Sequence, residues 1–222
     1  MQSCISSAAP QFGQRHFALV PKLDRWRIVV TAEPDKSPQL PAPDQRMPVT
    51  RIVGPHPATL GSDQLLEQCD LRTQRRSGPG GQHRNKTSSG VFLHHEPTGV
   101  VGEATERRSQ SDNRSIALTR LRLRLAVEVR TDSVLDGFVS DAEAEWRAAY
   151  VGNLRIGERN AARPAVLALI LNDLHAAGGQ PSVVAKRWKA STSAVTRLLK
   201  SHPPAFALVN AIRKHHGRGP LK

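Results

Sequence analysis

Arg75-Arg-Ser-Gly-Pro-Gly-Gly-Gln-His-Arg-Asn-Lys-Thr-Ser-Ser89 is the stretch on which the reading of this chain turns. It is a glycine-rich tip framed by cations and small polar residues. Gly80 and Gly81 lack the Cβ atoms that would bar unusual backbone angles and close approach, so Gln82 can be presented at an extended tip with its N–H free. A donor aimed in this way stabilises developing negative charge, by a few kcal/mol where water is excluded. Arg75, Arg76, Arg84 and Lys86 are placed to neutralise phosphates around such a tip. No metal-ligand spacing, acidic dyad, Cys–His pair or phosphate-binding glycine loop offers a competing chemistry. No cofactor or metal is expected.

The chain contains a control for this reading. Gly178-Gly179-Gln180 repeats the tripeptide without a basic frame, between two expected helices. There it reads as a helix C-cap and linker. The tripeptide alone is weak evidence; its surroundings carry the weight.

On either side of the loop the pattern is that of a small α+β domain. Residues 62–69 read as a short helix and Asp70-Leu-Arg-Thr-Gln-Arg75 as a strand. Val91–His95 and Val100–Ala104 are two further strands, joined through Pro97-Thr-Gly99, where Gly99 can take the positive φ of a tight hairpin. Residues 109–130 conflict, because Leu121, Leu123, Leu125, Val127 and Val129 alternate with period two, as in a strand. Leu, Arg and Ala favour a helix, Ser109 can cap it, and Ala117, Leu121 and Leu125 share one face, so a helix is expected.

Residues 77–83 (Ser-Gly-Pro-Gly-Gly-Gln-His), with Asn85-Lys86, His95-Glu-Pro-Thr-Gly99, Glu106-Arg-Arg-Ser-Gln110 and Asn113-Arg114, resemble the peptidyl-tRNA hydrolysis domain of bacterial class I peptide chain release factors. The resemblance is collinear over residues 62–130. It implies that Gln82 enters the peptidyl transferase centre, where its backbone N–H assists attack of water on the ester and its side chain shapes access for the nucleophile. Gly80, Gly81 and Gln82 are then the catalytic residues, and Gln82 is a target for a side-chain amide methyltransferase. Ser77, Asn85, Pro97, Gly99, Ser109 and Gln110 take structural roles in the motif, and Arg107 and Arg108 face RNA. Arg84 departs from the family, which usually has an apolar residue beside the Asn. The family's codon-reading portion has no counterpart here, since residues 1–61 are too short for it. The implied function is codon-independent rescue of stalled ribosomes. A non-catalytic, ribosome-associated RNA-binding protein is the alternative.

Composition agrees with a polyanionic partner: 32 Lys and Arg stand against 19 Asp and Glu, a net charge of +13. The surplus is concentrated in residues 70–130, with twelve basic and six acidic side chains, and in residues 163–222, with ten and one. Residues 131–162 are an acidic spacer. Aromatic content of 4% argues against base-stacking platforms. The expected partners are large-subunit rRNA and peptidyl-tRNA in the cytoplasm, and no membrane, because no apolar run approaches the length of a span. Cys4 and Cys69 read as inert thiols of a reducing compartment.

The ends complete the organisation. Residues 1–50 hold seven prolines and little apolar periodicity, the profile of a disordered segment. Its first part could serve for targeting, or translation could start at Met47. In residues 163–222, Pro164 opens an apolar helix closed by Gly178, and two short helices follow around a tight turn, before a last helix over 205–215. Ala185 and Val195 fit the packed positions of a helix-turn-helix, although Lys189 sits where such turns often use glycine. Arg187, Arg197 and Lys200 are the expected RNA contacts of this basic unit.

Overall fold

The computed structural model describes the side chains of residues 39–74, 89–137 and 139–222, together with two short backbone strands, β1 (Ala18–Val20) and β2 (Arg27–Val29), which pair antiparallel. The chain divides into two units, residues 1–39 and 40–222, and every further element belongs to the second. The expected disorder of residues 1–38 otherwise lies outside the described residues, but that of residues 40–50 is corrected. Pro43–Gln45 form a 3₁₀ turn, and β3 (Thr50–Arg51) pairs in parallel with β7 (Val129–Arg130). Arg46 makes a two-pronged ion pair with Asp136, at 3.0 and 2.6 Å. Composition misses this because order here comes from partners some 80 residues away in sequence.

The sheet is as the sequence indicates. Helix α1 (Ser62–Glu67) leads into β4 (Cys69–Gln74), which pairs antiparallel with β5 (Gly90–His95), itself paired with β6 (Val101–Ala104). At the start of α1 it is Gly61 that caps, with Gln64 Oε1 accepting from its N–H at 3.2 Å, and Ser62 is the first helical residue. The long helix α2 (Gln110–Glu128) lies across the sheet, and Ser109 Oγ caps it by accepting from the Asp112 N–H. Ala117, Leu121 and Leu125 bury completely against Leu65, Val91 and Leu93. Gly102 makes this packing possible. A Cβ there would lie 2.4 Å from the Ala117 carbonyl oxygen.

The period-two apolar run has a simple cause. Leu121 and Leu125 face the sheet, whereas Leu123 and Val127 pack on a second core built by the C-terminal helices. A helix clamped between two cores is apolar on two faces, and successive contributions to both mimic a strand.

The second core is wrapped around α4 (Arg163–Ala176), every residue of which is buried. Around it stand α3 (Asp141–Tyr150), α5 (Pro181–Arg187), α6 (Thr192–Lys200) and α7 (Pro203–His215). Trp188, Val195, Leu199 and Val209 fill its interior. The two cores meet where small residues allow close approach, at Ala58, Ala126 of α2 and Ala168 of α4. The spacer at 131–162 is therefore ordered and woven in. Asp173 of α4 accepts both Arg147 guanidinium hydrogen bonds at 2.7 Å, the Ser133 hydroxyl at 2.7 Å and the Trp188 indole N–H at 2.8 Å. The Arg147 guanidinium also lies 5.1 Å over the Trp188 ring. A carboxylate with four donors and a cation is a satisfied buried charge.

Three helices end in the same hydrogen-bond motif, in which the second residue past the cap bonds back five positions and the first bonds back to the next carbonyl. At α4 the bonds are Gly179 N to Leu174 O and Gly178 N to His175 O; at α7 they are Arg218 N to Arg213 O and Gly217 N to Lys214 O. At α5 they are Ala190 N to Ala185 O and Lys189 N to Lys186 O. The residue just past the cap is left-handed in all three, with φ of +59° at Gly178, +66° at Gly217 and +46° at Lys189. Gly178-Gly179-Gln180 is thus a helix terminus, as its surroundings indicate. Lys189 is the one described non-glycine residue with positive φ.

Candidate functional site

The basic glycine-rich segment connects the end of β4 to the start of β5 in sequence. Residues 75–88 lie outside the described residues, and with them Arg75, Arg76, Ser77, Gly80, Gly81, Gln82, Arg84, Asn85 and Lys86. Its two feet are described. Gln74 and Gly90 are register partners, so the loop leaves and re-enters the sheet at adjacent positions. A Cβ on Gly90 would come within 3.1 Å of the Gln74 carbonyl and of Thr105, which shows how tightly the strands close beneath the loop.

The returning foot is held by a residue for which the sequence suggested no particular role. Asn113, in the first turn of α2 and fully buried, donates through Nδ2 to the Ser89 carbonyl at 2.6 Å and to the Arg107 carbonyl at 2.9 Å, while its Oδ1 accepts from the Arg107 N–H at 2.9 Å. One amide side chain therefore joins the end of the loop, the Arg107–Arg108 segment and the helix N-terminus. The available signal was an Asn three residues after Gln110, on the inward face of the helix. Arg107 and Arg108 are exposed beside this junction, Ser109 caps α2 and Gln110 opens it.

At the other end of β5 the hairpin is fixed by His95. Its Nε2 lies 3.0 Å from Gln68 Oε1 and so donates, leaving Nδ1 to accept from the Thr98 hydroxyl at 2.7 Å. Burial lowers the pKa of this imidazole. Gly99 turns with φ of +71°, and Pro97 is exposed in the same turn. Both serve the hairpin. Cys69 donates its thiol to the Leu65 carbonyl, and burial pushes its pKa up to about 11, so it stays a thiol at neutral pH.

The remaining predicted contacts, Arg187, Arg197 and Lys200, lie on α5 and α6, exposed on the helical part and not at the loop. The structure thus gathers Arg107 and Arg108 at the loop base and puts the other three on a separate surface. Among the described residues no group of three or more His, Cys, Asp or Glu could hold a metal ion. No described helix is long and apolar enough to cross a membrane.

A three-stranded antiparallel sheet, crossed by one long helix and with a glycine-rich basic segment in sequence between its first two strands, defines a small α+β domain. Residues 65–137 match the family model described as "RF-1 domain". Similar proteins are peptide chain release factors. The chain is 37% identical over 128 residues to "Peptide chain release factor 1" of Lactiplantibacillus plantarum, covering 52% of this chain and 33% of that one. It is 52% identical over 62 residues to "Peptide chain release factor 2" of Variovorax paradoxus, covering 27% and 17%. It is 52% identical over 63 residues to "Peptide chain release factor 1-like, mitochondrial" of Rattus norvegicus, covering 28% and 17%. The chain spans a third or less of the length of these relatives.

Proposed function

We propose that this protein hydrolyses the ester of peptidyl-tRNA on the ribosome, and that it does so without reading a codon, to release chains from stalled ribosomes. The observation that carries the reading is Gly80-Gly81-Gln82 within an RF-1 domain, on a loop whose feet are clamped by the Gln74–Gly90 pair and by Asn113. The ester is attacked by water, the carbonyl oxygen takes up negative charge, and the Gln82 N–H donates to that oxygen. The bond to the tRNA ribose oxygen then breaks, and the free peptide acid and tRNA leave. A rigid base matters because a donor misplaced by an ångström forfeits much of its effect.

Arg107 and Arg108 at the loop base, with the loop's own cations, supply phosphate contacts to large-subunit rRNA and the tRNA. Methylation of the Gln82 side-chain amide by a methyltransferase leaves the backbone N–H untouched and so is compatible with this chemistry. The test is release of labelled peptide from ribosomes carrying peptidyl-tRNA, with mRNAs that end in the P site or continue past it. Release from the truncated complex independent of any stop codon is expected. Ribosome binding without release would instead favour a non-catalytic RNA-binding role.

A further inference from the structure

One residue of the chain has an unfavourable backbone conformation, and it stands among the exposed cations of α5 and α6. Of the three helix ends built on the same motif, two place glycine at the left-handed residue and the third places Lys189. Its φ of +46° is a conformation that L side chains rarely adopt, and at Gly217, where a Cβ would meet nothing within 4 Å, the chain places glycine in the same role. A non-glycine residue in such a backbone conformation points to a use for its side chain. Lys189 is exposed, and it occupies the turn between α5 and α6.

The surroundings indicate what that side chain serves. Val195, Leu198 and Leu199 turn α6 inward, and its exposed side carries Thr192, Ser193, Arg197 and Lys200. Exposed Lys186 and Arg187 close α5 immediately before the turn. From Leu174 to Lys222 the chain contains no Asp or Glu at all. The result is a helix, a cationic turn and a second helix with cations and hydroxyls outward, and no acidic side chain of its own.

We propose that α5, Lys189 and α6 form a docking surface for the sugar–phosphate backbone of a double-helical RNA stem. The outward face of α6 holds no Asn, Gln, Asp or Glu, which leaves Arg197 and Lys200 as its only groups able to grip a base edge with two hydrogen bonds. Short hydroxyls and ammonium groups contact phosphates and riboses and carry no base sequence. The A-form major groove is too narrow to be read by side chains, so an RNA duplex is held by shape, phosphates and 2′-hydroxyls across its shallow groove. The choice of RNA over DNA rests on the peptide-release function proposed for the loop, since ribosomal stems would then be the available duplexes.

The test measures binding of the full chain to a labelled RNA duplex, its separated strand and a DNA duplex of the same sequence, over a range of salt. Wild type should prefer the RNA duplex. Lys189→Gly should keep or raise thermal stability while weakening duplex binding, and Arg197→Ala with Lys200→Ala should weaken it further. The slope of log affinity against log salt should become shallower by about one per lost contact. Unchanged affinity and slope in both variants would overturn the surface. Preference for the DNA duplex or the single strand would overturn the assignment to RNA stems. Peptide release, measured on the same wild-type protein, reports separately on the chemistry: duplex binding without release sinks the release reading and leaves this surface standing, and release with unaffected binding in the variants does the reverse.

Discussion

At the scale of single residues, the chemistry is assigned to a backbone donor. Gln82→Ala keeps the N–H, so it is expected to retain appreciable release, whereas Gly81→Ala adds a Cβ at the tip and is expected to lose most of it. Single-turnover release at matched ribosome occupancy distinguishes the two; a wild-type rate for Gly81→Ala would contradict the role of the loop. Asn113 makes a different kind of prediction because its three part-buried hydrogen bonds tie Ser89 and Arg107 to α2. Asn113→Ala leaves backbone groups of Ser89 and Arg107 without their partner, at about 1–3 kcal/mol for each buried group left unsatisfied. Chemical denaturation should show that loss. The release rate should fall even where the variant remains fully folded, since the returning foot of the loop is no longer held.

At the scale of elements, the close approach of β6 to α2 decides whether the sheet can be covered. The nearest atoms to a Cβ at Gly102 are backbone and helix-core atoms, at 2.4 to 2.7 Å, and none of them can swing away. Gly102→Ala should therefore destabilise the protein by about 3 kcal/mol, the upper range for overpacking. The contrast is Gly99→Ala, where nothing lies within 4 Å and only the φ of +71° is unfavourable. That variant should cost about 1 kcal/mol, comparable to a left-handed alanine elsewhere. Equal urea midpoints for the two variants would show that the helix can shift off the sheet.

At the scale of the whole molecule, two buried imidazoles couple folding to pH. His56 Nε2 donates to the Val129 carbonyl and its Nδ1 accepts from the Ala58 N–H, with burial first and the nearby Arg130 charge second pulling its pKa down to about 3. His175 donates to the Met47 carbonyl and is lowered, mainly by burial, to about 4. Both are neutral when folded and titrate near 6.5 when unfolded, so the unfolded chain binds more protons below that pH. Stability should be full above pH 6.5, fall as pH drops toward 4 and keep falling to about 3. His56→Gln should flatten part of that decline in the denaturation midpoint. The placement of α4 matters at the same scale. Residues 161–222 cannot be cut away to separate affinity from chemistry, because every residue of α4 is buried and Asp173 binds Ser133, Arg147 and Trp188. Surface substitutions on α5 and α6 are the cleaner way to make that separation.

The sequence alone indicated the three-stranded sheet, the long helix and the C-terminal helices and nominated the candidate site, because these readings are local. Strand, hairpin and cap signals act over a few residues, and so the sheet, the Gly99 turn, the Ser109 cap and the C-terminal helices were readable from neighbours in the chain. The loop was legible for the same reason, since glycine, glutamine and cations stand side by side in residues 75–89. Only the tertiary structure decided how Asn113 ties the loop to the helix and why Leu121, Leu123, Leu125 and Val127 alternate along α2. It also decided the ordering of residues 40–51 and the burial of α4. Each of these depends on partners far away in sequence: Ser89 for Asn113, β7 for β3, and two separate cores for the faces of α2. A one-dimensional pattern records how apolar a position is. Which core receives it is set only when the chain has folded.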